Sequence, residues 1–377
     1  MKVLQILPEL NAGGVERVVM VLSDYLVANG HQSVVISNGG RLVSVLEKSG
    51  ARHLTLPVHK KNLGSLFQVR PLRRLLQQER PDILHLHSRV PGWIAWLAWR
   101  KMNPQTRPRL VSTVHGFYSV NAYSAIMVRG ERVIAVSECI RDYVAKSFPQ
   151  TPKAALRLVR HGIDPAHASR GFQPDAAWLT QWRNDFPQFT GKQLLVLPGR
   201  ITRLKGHEDF LKLMAAVRKT NPQLHGVIVG DTHPKKRAYL DELKQLVHQL
   251  GLTNEVTFVG HRPDLREVLA VSAVTYSLST SPESFGLTTL EALALGRPVI
   301  GYDHGGVGEL LRELYPAGRV PLRDESALLE TTRQILAGGA ALSSLSPPVP
   351  VKEPFTLDAM CRGTLDVYRE LLQAPRH

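Results

Sequence analysis

The most informative stretch of this chain runs from Ser281 to Ala292 and reads SPESFGLTTLEA. A short β-branched run ends near Leu278 just before it, and a helical pattern begins near Gly286. A strand, a polar loop and a helix in this order are typical of a parallel α/β sheet. The amides of Phe285, Gly286 and Leu287 are then expected at the positive end of a helix dipole, which favours a negatively charged ligand.

Two glutamates accompany this expected anion site. Glu283 lies on the loop, and Glu291 lies about one turn into the helix. Because two carboxylates repel a bare phosphate, they are better suited to accept hydrogen bonds from sugar hydroxyls. Each glutamate taken alone is more often a solvated surface charge.

The same alternation of short apolar runs and helical stretches extends over the whole chain and predicts an α/β protein. A length of 377 residues suggests about two domains. The strand candidates are residues 3–7, 33–37, 83–87, 110–114 and 132–136, then 194–197, 226–229, 256–259, 274–278 and 298–301. We expect a linker within 164–191, a surface loop at 337–350 and a last helix over 355–372. Ligands bind such sheets at the carboxyl ends of the strands.

Composition excludes several classes of protein. Only Cys139 and Cys361 are present, which excludes a disulfide scaffold and favours a reducing, cytosolic compartment. The first residues read as a strand and not as a signal peptide. The longest apolar run, residues 90–99, is half of the about 20 residues that a membrane-spanning helix needs.

The positive charge is concentrated in the first half of the chain. Residues 1–170 hold 24 Lys and Arg against 10 Asp and Glu, whereas the remainder is nearly neutral, with 23 against 22. Residues 60–76 combine five bases with interleaved apolar residues and no acid, which fits either a helix on an anionic membrane or a solvated helix face. Trp93, Trp96 and Trp99 fit either an interfacial anchor or core packing. No nucleic-acid-binding motif is visible.

Two glycine-containing loops follow predicted strands. The loop from Gly199 to Gly206 carries Arg200 and Lys205, which suit a clamp on a diphosphate, but it lacks the G-K-[ST] of a P-loop. The turn at Gly13 and Gly14 lets backbone approach a ligand closely at the start of a helix over 15–29. It lacks the G-x-G-x-x-G spacing of a dinucleotide site, which argues against a dehydrogenase.

Three histidines lie at strand ends. His85 and His87 alternate along one strand and share a face, and His115 follows another strand. No cysteine or H-x-x-E-H spacing completes a zinc site, and no D-x-D pair occurs. We therefore predict that the protein uses no metal.

Taken together and in order, these motifs resemble the family 4 glycosyltransferases of the GT-B fold. The resemblance extends from the glycines at 13–14 to the GGVGE turn at 305–309, and its core is the pair Glu283 and Glu291. The segment from His161 to Asp164 is similar to the family's motif before the interdomain linker. The resemblance implies two Rossmann-like domains facing across a cleft. They are an acceptor-binding domain over 1–165 and a nucleotide-sugar-binding domain over 166–354, with a C-terminal helix in 355–377 that packs back on the first domain.

The same resemblance implies a retaining, metal-independent hexosyltransferase that needs no cofactor and uses a nucleoside diphosphate sugar as donor. The expected base is uridine, with adenine and guanine left open. By carry-over, Arg200 and Lys205 hold the diphosphate, Glu291 the ribose and Glu283 the donor sugar. The backbone expected to close around the donor belongs to Gly13, Gly14, Phe285, Gly286 and Leu287. The base is expected near His261 and Arg262. His115 is expected to position the reactants or to handle a proton.

The acceptor is expected to meet the basic first domain. A lipid-linked or lipopolysaccharide acceptor on the inner face of a bacterial cytoplasmic membrane explains that charge. The alternative is a basic membrane- or nucleic-acid-binding α/β protein whose nucleotide site serves another purpose, as in an epimerase or a phosphorylase.

Overall fold

The chain folds into two compact units. The structure is a computed structural model, and it describes residues 1–11, 13–232, 237–338 and 353–376. Unit 1 comprises Met1–Gly162 together with Leu357–His377, and unit 2 comprises Ile163–Thr356. The sequence placed these boundaries after residues 165 and 354.

Unit 1 is built around a doubly wound parallel sheet. Its strands are β1 (Lys2–Ile6), β2 (Gln32–Ser37), β3 (Arg52–Thr55), β4 (Ile83–Leu86), β5 (Arg109–Val114), β6 (Arg132–Ala135) and β7 (Leu156–Leu158). They lie in the order β3-β2-β1-β4-β5-β6-β7, and neighbouring strands are parallel. The connecting helices are α1 (Gly14–Ala28), α2 (Val43–Lys48), α3 (Val69–Glu79), α4 (Arg89–Trp99) and α5 (Glu138–Ser147). The strand order reverses between β1 and β4, which is where such sheets bind ligands.

Unit 2 repeats this plan. Its strands are β8 (Gln193–Pro198), β9 (Leu224–Val229), β10 (Val256–Gly260), β11 (Val274–Ser277), β12 (Val299–Tyr302) and β13 (Arg319–Val320). They lie in the order β10-β9-β8-β11-β12-β13, again in parallel, so that the order reverses between β8 and β11. The helices are α6 (Ala176–Asp185), α7 (His207–Val217), α8 (Arg237–Gln249), α9 (Leu265–Ala270), α10 (Leu287–Ala294), α11 (Gly305–Leu314) and α12 (Glu325–Ala337).

The sequence predicted the inner strands and missed three outer ones. All ten predicted strands are present, with ends within two residues of the expected positions. Helices cover both faces of these sheets, which is why the inner strands read as continuous apolar runs. The missed strands β3, β7 and β13 lie at sheet edges and are only two to four residues long. Their short, partly polar sequences carry no periodic signal.

The last helix belongs to unit 1, as the sequence predicted. It is α13 (Leu357–Gln373), and it packs beside α1 in a cluster with strand residues Val3 and Ile83. Its side chains Met360, Leu365 and Leu371 are buried in this cluster.

The region 60–76 contains two helical segments, and the second agrees with the solvated-face alternative, since Arg70 and Arg74 are exposed. A 3₁₀ helix, Leu63–Gln68, precedes α3, and the α3 residues Leu72 and Leu76 are fully buried in the core of unit 1. The apolar face of α3 is therefore turned inward and is not available to a membrane. Among the side chains described in this region, the large apolar ones that are exposed are Leu66 and Phe67, both on the 3₁₀ helix.

The three tryptophans of α4 are packed and do not form an exposed anchor. Trp99 is 8% exposed and donates a hydrogen bond from Nε1 to the carbonyl of Pro108 at 2.6 Å. Trp93 and Trp96 are partly buried against the cores of unit 1, with their rings edge to face. Because Trp93 also donates from Nε1 to the Tyr123 carbonyl, its ring is held in place.

Two further expectations concern the surface and the membrane. The predicted loop at 337–350 lies outside the described residues except for its first two positions, which end α12 and follow it. Within the described ranges, no helix combines the length and the apolar character needed to cross a bilayer.

Replacing Leu371 by alanine should lower the free energy of unfolding by about 2–5 kcal/mol, because the side chain is fully buried between α13 and the sheet. The neighbouring Leu372 is 37% exposed, so Leu372→Ala should change the stability by no more than about 0.5 kcal/mol. Urea unfolding measures both. Equal losses for the two variants would contradict the packing of α13.

Candidate functional site

The candidate site of unit 2 lies where the strand order reverses. The loop after β8 carries Arg200 and Lys205, and the loop after β11 carries Glu283. Because β8 and β11 are parallel neighbours, both loops leave the same edge of the sheet side by side. The topology thus brings together the two loops that the sequence singled out separately.

Glycines let these loops approach each other closely. Gly206 has a φ of +71°, and a Cβ built there would lie 2.1 Å from the carbonyl oxygen of Leu278, at the end of β11. Gly306 donates its amide to the Glu283 carbonyl at 2.8 Å, and a Cβ on Gly306 would lie 2.3 Å from the Cα of Phe285. No side chain fits at either position, so glycine at 206 permits the loop of Lys205 to approach β11, and glycine at 306 permits the start of α11 to approach the loop of Glu283.

Lys205 and Glu283 form an ion pair. The Nζ of Lys205 lies 2.7 Å from Oε1 of Glu283, and the hydroxyl of Ser279 donates to the same oxygen at 2.5 Å. Burial raises the pKa of the Glu283 carboxyl, but the charge of Lys205 and the hydrogen bonds from Lys205 and Ser279 outweigh it and hold the pKa below its usual value. Glu283 is therefore ionised at neutral pH and oriented by two donors.

Arg200 lies on the same loop as Lys205, and α10 begins directly after the loop of Glu283. Arg200 is exposed, and the described residues provide no hydrogen bond or ion pair for its guanidinium. Gly286 precedes α10 with a φ of +98° and supplies no side-chain cap, so the first turn from Leu287 keeps the partial positive charge of a helix N-terminus. Glu291 lies on the first turns of the same helix and is half-buried.

The residues predicted to lie near the base follow β10. His261 is exposed, whereas Arg262 is bound to Asp264 by two hydrogen bonds of 2.9 and 2.5 Å. The Arg262 guanidinium also lies over the ring of Trp182, 5.2 Å from its centroid. The side chain of Arg262 is therefore held within unit 2 by Asp264 and Trp182.

The glycine turn of unit 1 follows β1. Gly13 is extended, and α1 begins at Gly14. A Cβ on Gly14 would meet nothing within 4 Å, whereas one on Gly13 would lie 2.4 Å from a carboxylate oxygen of Glu16. The space beside Gly14 is thus open to a ligand at the helix N-terminus.

His115 lies in unit 1 at the end of a chain of hydrogen bonds that starts on β1. Nε2 of Gln5 donates to the Ser23 hydroxyl at 2.9 Å, which leaves its Oε1 to accept from Nε2 of His87 at 3.0 Å. The Nδ1 of His87 then accepts from Nε2 of His115 at 3.1 Å. The network therefore assigns the proton of neutral His115 to Nε2 and a lone pair to its Nδ1.

Burial keeps these rings neutral. It lowers the pKa of His87 and of His115 well below the usual value, and the neighbouring histidines, including His161, add to the effect. His85 is buried as well, with hydrogen bonds of 2.6 Å to the Tyr368 hydroxyl and 2.7 Å to that of Thr113. His85 thus links α13 to the sheet and is structural.

Among the residues that the structure describes, no three His, Cys, Asp or Glu side chains are placed to hold a metal ion. Sequence reasoning missed Ser279 and Gln5 as supporting residues. The sequence did contain a sign that Gln5 makes hydrogen bonds, because a polar side chain within an apolar, buried strand needs hydrogen-bond partners.

Fold and site together define a protein with two Rossmann-like domains, the second of which carries paired cations and carboxylates at its ligand-binding edge. The family model described as "Glycosyltransferase Family 4" matches residues 12–167, and "Glycosyl transferases group 1" matches residues 180–344. The chain belongs to the family 4 glycosyltransferases and has the GT-B fold. The predictions of family and fold class are thus confirmed.

Relatives and solved structures agree with this assignment. The chain is 27% identical to the N-acetyl-alpha-D-glucosaminyl L-malate synthase of Bacillus anthracis, over 80% of this chain and 79% of that protein. It is 27% identical to the lipopolysaccharide core biosynthesis mannosyltransferase LpsB of Rhizobium meliloti, over 61% and 65% of the two chains.

Two solved structures resemble it in fold. The glycosyltransferase from Rickettsia africae has a TM-score of 0.84 at 24% identity and covers 99% of each chain. Anabaena HepE in complex with UDP has a TM-score of 0.77 at 19% identity, over 98% of this chain and all of that one.

Replacing Lys205 by methionine should raise the pKa of Glu283 above the usual value for a glutamate, because burial would remain while the opposing charge is lost. In the native protein the ion pair stabilises the fold fully at pH values above the usual pKa of a glutamate. That contribution to stability is lost as the pH falls through the lowered pKa of Glu283. A carbon NMR titration of the carboxyl group measures the shift. Lys212→Met, which removes the partner of Glu325, is the control. An unchanged Glu283 pKa in Lys205→Met would contradict the pair.

Nitrogen NMR of the imidazole rings at neutral pH should show His87 and His115 protonated at Nε2 only. Gln5→Leu removes the acceptor that imposes this arrangement, so both rings should shift towards a mixture of tautomers. Gln77→Leu, at an exposed position on α3, should leave both rings unchanged. A native His115 protonated at Nδ1 would contradict the network.

Proposed function

We propose that this protein is a retaining, metal-independent hexosyltransferase that uses a nucleoside diphosphate sugar, with UDP as the expected nucleotide. The observation that carries the proposal is the Lys205–Glu283 ion pair at the ligand-binding edge of unit 2, with the exposed Arg200 on the same loop as Lys205. Membership of the glycosyltransferase family supports it, and the UDP complex of HepE supports the choice of nucleotide.

In the proposed reaction, negative charge develops on the diphosphate as its bond to the sugar breaks. Arg200 would hold the phosphates as a fork and Lys205 as a point charge, while the N-terminus of α10 adds its partial positive charge. Cations that are in place before the reaction lower the barrier without reorganisation. They would do the work that a divalent ion performs elsewhere, so the proposal includes no metal and no cofactor.

The carboxylates would recognise hydroxyl groups. Glu283 is ionised and already oriented, which suits it to accept hydrogen bonds from the donor sugar, and Glu291 would accept from the ribose. Amides at Phe285, Gly286 and Leu287 would face the donor in unit 2. The turn at Gly13 and Gly14 would supply close backbone contact in unit 1. The base would rest on the backbone near His261 and Arg262.

His115 would position the reactants or handle a proton in the transfer. Its neutral ring presents a lone pair at Nδ1, which is the form that a proton acceptor needs. Retention would follow from attack on the same face that the nucleotide leaves, without a covalent glycosyl-enzyme.

The acceptor would be a membrane-associated glycan or lipid used in bacterial lipopolysaccharide or other surface polysaccharide synthesis. The surplus positive charge of residues 1–170 suits a phosphate-rich acceptor and an anionic surface. The resemblance to the lipopolysaccharide enzyme LpsB supports the same class of acceptor. The protein would act in the cytoplasm, peripherally on the inner face of the membrane.

Calorimetric titration with UDP, ADP and GDP in EDTA tests the donor site. We expect one nucleotide to bind without metal, and Arg200→Ala to weaken it about tenfold or more, because a charge-assisted hydrogen bond contributes about 1.5–3 kcal/mol. Arg203→Ala is the matched control, since Arg203 lies on the same loop but is paired with Glu242 and Glu208.

Binding of a nucleotide by the native protein and by Arg203→Ala, but weakly by Arg200→Ala, would support the proposal. Failure to bind any of the three nucleotides, or binding only when a divalent metal is added, would contradict it.

A further inference from the structure

Unit 1 carries an apolar groove apart from the residues assigned above. It has a volume of about 520 Å³, and its walls are mainly carbon. The side chains that matter for the argument are Leu66, Trp93, Ile94 and Tyr123 in the walls and Lys60 and Lys61 at the rim. Apolar surface rimmed by polar residues is a candidate site for interaction with a partner.

The 3₁₀ helix beside the groove exposes two large apolar side chains. Phe67 is 82% exposed and Leu66 is 49% exposed. The helix is held in this position by Asn62, whose side chain accepts from the Ser65 amide at 3.2 Å, and by the Ser65 hydroxyl, which donates to the Asn62 carbonyl at 2.7 Å. Phe67 therefore projects into solvent from an anchored turn.

The charge around the groove has one sign. Lys60 and Lys61 are both exposed, and Nζ of Lys61 lies over the Tyr123 ring, 5.1 Å from its centroid. The wall residues come from two stretches of sequence, 48–78 and 83–130, and neither contains a single Asp or Glu. A ligand that combines a hydrocarbon chain with a negative headgroup complements both the walls and the rim.

We propose that the groove binds an acyl chain of an anionic membrane lipid. Phe67 and Leu66 enter the interfacial layer, and Lys60 and Lys61 contact lipid phosphates. The inference rests on the proposed function for its biological context and deepens it, because it names the surface by which unit 1 meets the membrane. The surface that contacts the membrane consists of the 3₁₀ helix with Leu66 and Phe67 and of the groove beside it. It does not include α3, whose Leu72 and Leu76 are buried.

Co-sedimentation of the full chain with vesicles tests the groove. The vesicles contain phosphatidylcholine alone or equal parts of phosphatidylcholine and phosphatidylglycerol, and neither donor nor acceptor is added. The test variant is Phe67→Ser/Lys61→Glu, and the matched control is Val45→Ser/Lys48→Glu, which makes the same kinds of change at exposed positions of α2.

We expect the native protein and the α2 control to bind the anionic vesicles, and the test variant to bind them at least about tenfold more weakly. In a Phe67→Trp variant, brominated acyl chains should quench the added fluorescence, which places the side chain below the headgroups. A Val45→Trp variant should show no such quenching.

Two results would overturn the proposal: equal vesicle binding by the test variant and the control, or no added quenching at position 67. Titration of the same samples with UDP distinguishes failure of the lipid-binding proposal from failure of the proposed donor site. The test variant should bind UDP as the native protein does, since neither substituted residue lies in unit 2.

Discussion

Parallel strands send all their following loops to one edge of a sheet, and both units of this protein depend on that constraint. In unit 2 it brings together Lys205 and Glu283, which are 78 residues apart in sequence and 2.7 Å apart in space. Gly206 permits the close approach, since a Cβ there would collide with the backbone of Leu278, and Gly306 lets the start of α11 pack against the loop of Glu283. The ion pair keeps a half-buried carboxylate ionised and holds a cation beside it.

Unit 1 uses the same edge for a different purpose. Its strands β4 and β5 end in His87 and His115, and Gln5 on β1 determines which nitrogen of each ring carries the proton. Burial removes the charge from these rings, so the edge of unit 1 offers neutral hydrogen-bonding groups where that of unit 2 offers charged ones. Similar architecture thus supports two chemically distinct surfaces.

The sequence predicted what depends on local pattern and missed what depends on packing. Inner strands were predicted because burial on both faces leaves an apolar signature, whereas β3, β7 and β13 are too short to show one. Lys205 and Glu283 were each singled out, but no spacing rule reveals that their side chains meet. The sequence of residues 60–76 left open whether its helix lies on a membrane or has a solvated face, and the structure turns Leu72 and Leu76 of α3 inward. An amphipathic pattern shows that a face is buried without showing what buries it.

The central claim is that Glu283 binds the donor sugar and Glu291 binds the ribose. Paired dissociation constants test this claim most directly. They are the dissociation constants for UDP and for the best-bound UDP-sugar, measured on the native protein, Glu283→Gln and Glu291→Gln. The account predicts that Glu283→Gln loses the additional affinity that the sugar provides while UDP binds as well as before or better, and that Glu291→Gln weakens UDP itself. If Glu283→Gln bound the UDP-sugar as tightly as the native protein, the assignment of Glu283 to the donor sugar would be wrong.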